Sequence, residues 1–513
     1  MIDFIIVLAY FGMILLIALK GKINSDTTAD DYFLSSRNLP WYSIAVSTIA
    51  TNIQGYQFLG MMGSAYLYGL AQANLEINAV QGILIGTFVF VPLFLKEKIT
   101  TITQYIKIKL GARVALFYSI ANIGLFATIT LGSALFWGAY AADMVFGEQL
   151  QFIHTNRIIR IGILILILGG FSAVYTYFGG LSAVVRTDIV QFGVLLIGGI
   201  VVCLTAVYHL GGWEQLYIKT PEKMHLHLPA SHETLPWTHL FGLFFLNINY
   251  WCANQTVIQR ALAAKSIAHA QTGLMVGGLI KYLMAVLIVV PGIALYGIIG
   301  DTLGEPDLAF PYLVKTYLPA GVKGIILCGL FASLMSTVDS TFNSLATLWS
   351  VDIYATYLNP KANDAQKISA GRKAILVSLG TALLMGMILL YLKFENPGSA
   401  FTHTLNNLRY FINCGIVVLV CSAVLILKPK SKIILAAFII TVPINILILL
   451  IFPEMNYFIR AFWVIFTGML FALLGNQSQL VSIGSLFKAA SSKHKFWGIM
   501  LIISLLILHL VFH

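Results

Sequence analysis

The sequence predicts an all-α integral membrane protein of about fourteen transmembrane helices. Three observations carry that reading. Of the 513 residues, 59% are apolar and only 10% are charged, where a soluble globular domain carries roughly 25% charged residues. The mean hydropathy is +0.87. Apolar stretches recur from end to end, each near the roughly 20 residues that a helix needs to cross a bilayer. A water-soluble fold is excluded and the lipid bilayer becomes the first partner. Nucleic acid is excluded as well, because the carriers of the +11 net charge are scattered through short loops and form no basic stripe. Five cysteines, Cys203, Cys252, Cys328, Cys414 and Cys421, lie in apolar stretches without C-x-x-C spacing. They read as small packing residues and indicate neither a disulfide framework nor a metal site.

The apolar segments fall near 2–19, 42–70, 77–95, 116–146, 158–178, 185–209, 237–258, 270–299, 321–350, 374–392, 405–427, 433–452, 458–475 and 496–512. If the first runs inward, the loops on the inner side hold 21 of the 31 Lys and Arg residues and those on the outer side hold nine, with Lys281 left inside a segment. The positive-inside rule then places both termini outside. Asp3 before the first segment and Lys20 and Lys22 after it agree with that orientation, and the segment reads as an uncleaved anchor. Asn254-Gln255-Thr256 falls within a segment and Asn476-Gln477-Ser478 on the inner side, so neither is expected to carry a glycan.

Two segments carry polar stretches at mid-membrane, where an unsatisfied polar group costs several kcal/mol. One runs Thr48-Ile-Ala-Thr-Asn-Ile-Gln-Gly-Tyr-Gln57 and the other Asn247-Ile-Asn-Tyr-Trp-Cys-Ala-Asn-Gln255. Each opens a group of five segments, 42–209 and 237–427, and five being odd, the groups lie inverted in the membrane. Around this pair stand the extra helix at 1–20 and three C-terminal helices at 428–513, all in one membrane transport domain (1–513). Paired interrupted helices in inverted repeats point to a secondary transporter with its site at the midplane.

Gln57, Glu76, Asn247 and Lys281 sit at that depth, where ionisable groups are costly and functional by default. A carboxylate, an ammonium and two carboxamides offer donors and acceptors together, which suits a neutral polyhydroxylated ligand. Tyr250 and Trp251 would face the C–H side of a sugar ring. The bland alternatives are a Glu76–Lys281 ion pair that only locks the bundle and aromatics that only pack. A second cluster, Ser333, Ser336, Thr337, Asp339 and Ser340, places Ser333, Ser336 and Ser340 on one helical face. Such hydroxyls either bond back to their own helix or, with carbonyls from a broken helix at 50–56, hold a hard cation. Asp188 is the nearest charged contributor, or else an ordinary helix-start carboxylate beside Arg186.

Asn249-Tyr-Trp-Cys-Ala-Asn-Gln-Thr-Val-Ile-Gln-Arg-Ala-Leu-Ala-Ala-Lys265 resembles the signature of the solute:sodium symporter family, in its sodium/glucose cotransporter-like branch. Gly179–Gln191, Gln57–Met61, Met335–Asn343 and Val351–Tyr354 resemble family segments in the same order, and the similarity covers about residues 1–430. The resemblance implies a LeuT-like core of five plus five inverted helices. It places sugar contacts on Gln57, Glu76, Asn247 and Lys281 and an inner gate on Tyr250 beside Trp251. It places sodium on the carbonyls of Ala50, Ile53 and Ser333 and the hydroxyls of Ser336 and Thr337, with Asp188 on the sodium exit route. A second sodium site in some relatives would fall on Asp188, Ser336, Asp339 and Ser340, where an aspartate at 339 departs from the commoner small residue. Tyr56, Leu75 and the Leu405-Asn406 region also depart from the sugar-transporting pattern.

The resulting expectation is sodium-coupled symport of a hexose or related polyol by alternating access, with Na+ as the co-transported ion and no organic cofactor. Inositol, sialic acid, an amino acid or a monocarboxylate are the other solutes in view. A sensor or channel of the same fold is disfavoured by the roughly 20 residues between the last two segments, too few for a signalling domain. No paired His, metal-ligand spacing or nucleophile with a base suggests an enzyme. The expected location is the plasma membrane, or the inner membrane in a bacterium.

Overall fold

The computed structural model describes residues 2–20, 27–54, 57–395, 401–476, 480–482, 484, 487 and 490–513, without the side chains of 401–404. Tyr56 and Gln477-Ser478 lie outside the described residues. Apart from isolated backbone bridges, the described elements are helical. In chain order the long ones are α1 (Ile2–Leu19), α2 (Trp41–Asn52), α3 (Gln57–Lys96), α4 (Ala112–Phe146), α5 (Arg157–Leu210), α6 (His239–Ile248), α7 (Gln255–Leu262) and α8 (Ile267–Ile299). They are followed by α9 (Ala309–Tyr317), α10 (Val322–Leu358), α11 (Asp364–Glu395), α12 (Phe401–Leu425), α13 (Ser431–Ile451), α14 (Tyr457–Asn476) and α15 (Ser492–Val511).

Among the described residues, 11 helices are long and apolar enough to cross a membrane, making this a multi-pass membrane protein. The difference from fourteen segments arises where helices break or fuse. Segments 158–178 and 185–209 share the 54-residue α5. At 1.5 Å per residue α5 would extend about 80 Å, against a hydrocarbon core of about 30 Å. Gly180 interrupts it with φ 56 and ψ −155, and a Cβ there would strike the Tyr32 carbonyl, so glycine supplies both the conformation and the clearance. Segment 42–70 is divided between α2 and the start of α3, and segment 237–258 between α6 and α7. None of α2, α6 and α7 is long enough alone.

Why α2 stops at Asn52 is local. Ile53 leaves the helical region (φ −80, ψ 111), and the Gln54 N–H, next in the ladder toward the Ala50 carbonyl, is taken by Gln57 Oε1 at 2.5 Å. At the other break Asn254 is extended (φ −90, ψ 118) and its side chain caps α7 by accepting from Thr256 N, as an N-cap asparagine does. Between α6 and that cap, Asn249–Ala253 form a π-helical turn, a feature often found at functional sites.

α10 lies at the centre, buried on nearly all sides, with α1, α2, α4, α5 and α11 packed around it. Its hydroxyls are satisfied partly by its own backbone, Thr341 Oγ1 to Thr337 O at 2.7 Å and Thr347 Oγ1 to Asn343 O at 2.7 Å. α13 and α15 sit at the periphery with rows of exposed Leu and Ile, the surface expected where lipid is the solvent. The five cysteines are buried and free, as packing residues would be.

Candidate functional site

The breaks in α2–α3 and α6–α7 open onto one cavity of about 460 Å³. All six residues expected to contact substrate line it: Gln57, Glu76, Asn247, Tyr250, Trp251 and Lys281. Such a volume fits a small organic solute. Glu76 and Lys281 form a buried ion pair. Each also has a second partner: Gln57 Nε2 donates to Glu76 Oε1 at 2.7 Å, and Lys281 Nζ donates to Asn52 Oδ1 at 2.6 Å. The charges are therefore compensated inside a chain of hydrogen bonds, the condition under which a buried pair is tolerated. Asn247 Nδ2 donates to the Asn78 carbonyl at 3.0 Å, tying α6 to the helix that carries Glu76.

Trp251 is 2% exposed, with the Lys281 ammonium 6.0 Å from its ring centre and the Tyr250 ring 5.2 Å away at 72°. Leu75 and Asn406 also line the cavity, so two of the positions that depart from the sugar-transporting pattern face the ligand space. On another wall stand Asp307 and Lys393. Burial pushes the Asp307 carboxyl up from its usual range, and the charge of Lys393 opposes that rise.

Beside Tyr250 a smaller cavity of about 70 Å³ shares Gln54, Asn249, Tyr250, Arg409 and Asn413 with the first and reaches Thr51 and Thr337. Of the expected ion ligands Thr337 lines it, and Ile53 and Ser333 meet nearby. Ser333 Oγ donates to the Ile53 carbonyl at 2.8 Å and Thr337 Oγ1 to the Thr51 carbonyl at 3.0 Å. Ala50, one residue before Thr51, is 2% exposed. Carbonyls released by the break in α2 thus face hydroxyls of α10, an all-oxygen set of the kind a hard cation takes.

Ser336 turns away from that set and donates to Asp188 Oδ1 at 2.5 Å. Asp188 Oδ2 accepts from Ser47 and, at 3.2 Å, from Arg260. The same guanidinium donates to Ser340 and, through Nε, to Ser47 at 2.7 Å. Ser340 in turn meets Thr51 Oγ1 at 2.8 Å. Asp339, the neighbour of Ser340, is held separately: its Oδ2 accepts from Tyr175, and its carboxyl also lies near the Ser172 hydroxyl.

The sodium:solute symporter family profile matches residues 32–425. The chain belongs to that family. A sodium/glucose cotransporter of Vibrio parahaemolyticus is 33% identical over 420 residues, covering 76% of this symporter and 75% of that protein. Sodium/glucose cotransporter 1 of Ovis aries is 28% identical over 423 residues, covering 74% of this chain and 62% of its own length; the chain thus spans less than two thirds of the animal relatives. A solved sodium-coupled sialic acid symporter in an outward-open state superimposes with a TM-score of 0.77 at 18% identity, covering 94% of this chain and 99% of that one. It shares the fold.

Two residues of this symporter's site went unread in the sequence. Arg260 counts among the inner-loop charges there, yet it is 0% exposed and pairs with Asp188, because α7 carries it one turn past Thr256 into the bundle. Asp188 accordingly pairs with Arg260 and not with its sequence neighbour Arg186, whose guanidinium reaches the Ala18 carbonyl. The other is Asn52, the last residue of α2, which holds Lys281. Its position at the end of a helix broken in mid-membrane is the signal that would have found it.

Proposed function

We propose that this protein is a sodium-coupled symporter of a hexose or related polyol, working by alternating access. One observation carries the reading: a single cavity collects a carboxylate, an ammonium, carboxamides and an aromatic pair beside an all-oxygen cluster at a helix break. A sugar presents hydroxyls that both donate and accept and a C–H face that stacks on Tyr250 or Trp251. The name of the Vibrio relative supports the same substrate class. Sodium would be held by the carbonyls of Ala50, Ile53 and Ser333 and the hydroxyls of Ser336 and Thr337, and would leave past Asp188. Each charge moved down the membrane potential yields about 2.3 kcal/mol per 100 mV.

The proposed architecture is fourteen crossings in which 42–209 and 237–427 form inverted repeats, with both termini outside. The matching breaks at Ile53 and Asn254 support it. A second sodium site at Asp188, Ser336, Asp339 and Ser340 is proposed on the strength of the carboxylate at 339. Asp339→Ala should lower the sodium-to-solute ratio read from charge flux, and an unchanged ratio assigns Asp339 to structure alone. For the function itself, a panel of labelled sugars, inositol, sialic acid, amino acids and monocarboxylates is offered to proteoliposomes under an inward sodium or potassium gradient. Sodium-dependent accumulation of a sugar is the expected result. Accumulation of only a carboxylate or an amino acid would overturn the sugar assignment.

A further inference from the structure

Away from the ion cluster, four histidines gather where α15 meets the loop after α5. His227 Nε2 lies 3.0 Å from His509 Nδ1, with the two rings stacked at 5.1 Å. The His513 ring stands 5.2 Å from His227, and His225 Nδ1 contacts the His513 carbonyl at 2.8 Å. His509 Nε2 continues to Asn78 Oδ1 at 3.2 Å. Asn78 is the residue whose carbonyl holds Asn247, and it follows Glu76 on the same helical run. The loop is secured on both sides of this contact, Leu226 N donating to the Phe512 carbonyl at 2.7 Å and Asn74 Nδ2 to the Leu226 carbonyl at 2.6 Å.

The hydrogen-bond chain fixes its own polarity. The Leu226 carbonyl only accepts, so Asn74 presents its amide nitrogen there and its Oδ1 to Asn78 Nδ2 at 3.0 Å. Asn78 Oδ1 is then an acceptor, already taking Gln81 Nε2 at 2.9 Å, and His509 must donate through Nε2. A neutral His509 leaves Nδ1 as an acceptor for the Nε2–H of His227. His227 Nδ1 is left as a bare lone pair, buried and without a hydrogen-bond partner among the described residues. A first added proton enters at His227 Nδ1 and leaves the contact in place, but a second, on His509 Nδ1, sets N–H against N–H and breaks it. The titratable groups facing the pair are other histidines: His513 and His239, with His225 behind His513. From α3 the facing groups are the uncharged Asn74, Asn78 and Gln81. Among the described residues no carboxylate bridges either ring. Burial and the neighbouring His513 hold His227 below the ordinary imidazole range, so the joined form takes up protons less readily than the open one and is favoured at neutral pH.

We propose that His227, His509 and Asn78 form a proton-sensitive clasp between the loop, α15 and the segment carrying Glu76, which opens on acidification and lowers affinity for the cavity's ligand. The affinity clause rests on the sugar reading above; the opening of the clasp does not. The test uses the full-length purified protein at pH 7.5 and 5.5 with saturating sodium. In hydrogen exchange, corrected for intrinsic rates, the parent should lose protection at least fivefold over 74–80 and 224–228 on acidification. D-glucose affinity should fall at least fivefold over the same interval. His509→Gln, which still donates to Asn78 Oδ1 and does not titrate, should show neither change. Unaltered exchange in the parent, or the same loss in His509→Gln, overturns the clasp. D-glucose binding that weakens equally in parent and variant overturns its link to the cavity. Failure of D-glucose to bind at either pH counts against the sugar reading alone, since the exchange measurement needs no sugar.

Discussion

Lys281 and Glu76 pose the sharpest question at the scale of single residues, because each is bound to the other and to a second partner that also faces the cavity. A pair that served only the fold would cost about 3–5 kcal/mol when one member is removed, since the other is left as a buried uncompensated charge. That loss would appear as missing protein. A binding role predicts that Lys281→Gln and Glu76→Gln fold, still bind sodium, and lose sugar affinity by about 10–150-fold, the equivalent of one charge-assisted hydrogen bond at about 1.5–3 kcal/mol. Recovery of both expression and affinity in the double variant would show that the charges serve only each other. At the ion cluster, Ser336→Ala with Thr337→Ala should raise the sodium concentration for half-maximal transport at least about tenfold, about 1.4 kcal/mol. Unchanged sodium dependence refutes the assignment. The geometry adds a distinction, for Thr337 faces the released carbonyls while Ser336 faces Asp188. Thr337→Ala alone should therefore carry the larger part of the sodium effect.

The elements are shaped by where helices are forbidden to continue. Gly69 turns α3 with φ 67, and a Cβ there would overlap the backbone of Lys223, in the same stretch that leads to the histidine clasp. Gly69→Ala combines a disfavoured backbone conformation with a clash against main chain that cannot swing aside. It should lower stability by more than about 1 kcal/mol, read as a lower melting temperature of the detergent-solubilised protein. Gly193→Ala, half-buried on α5 with nothing within 4 Å of the added carbon, is the matched control and should not lower the melting temperature. An equal shift in both would mean that glycine at 69 is not required by its turn.

For the whole molecule the proposed orientation makes a direct prediction. Cysteines introduced at Ile2 and His513 should react with a membrane-impermeant maleimide added to intact cells, while one at Lys361 should react only after permeabilisation. Labelling of the two ends from opposite sides would mean an odd number of crossings and end the fourteen-helix proposal. The five native cysteines are buried, so the background is expected to be low.

The amino-acid sequence alone was enough to specify a helical membrane protein, because hydropathy and the obligation to satisfy backbone groups in lipid act on each segment without reference to its neighbours. It also located the breaks near 53 and 254 and the residues around them, since polar side chains at mid-membrane are conspicuous against an apolar background. What it left open was pairing. Asp188 stands two residues from Arg186, yet its partner is Arg260, brought from 72 positions away by the packing of α7 against α2, α8 and α10. The junction of His227 with His509, separated by 282 positions, left no mark in either local stretch. Charge and burial energies depend on distance through space, and only the tertiary packing of the helices sets those distances.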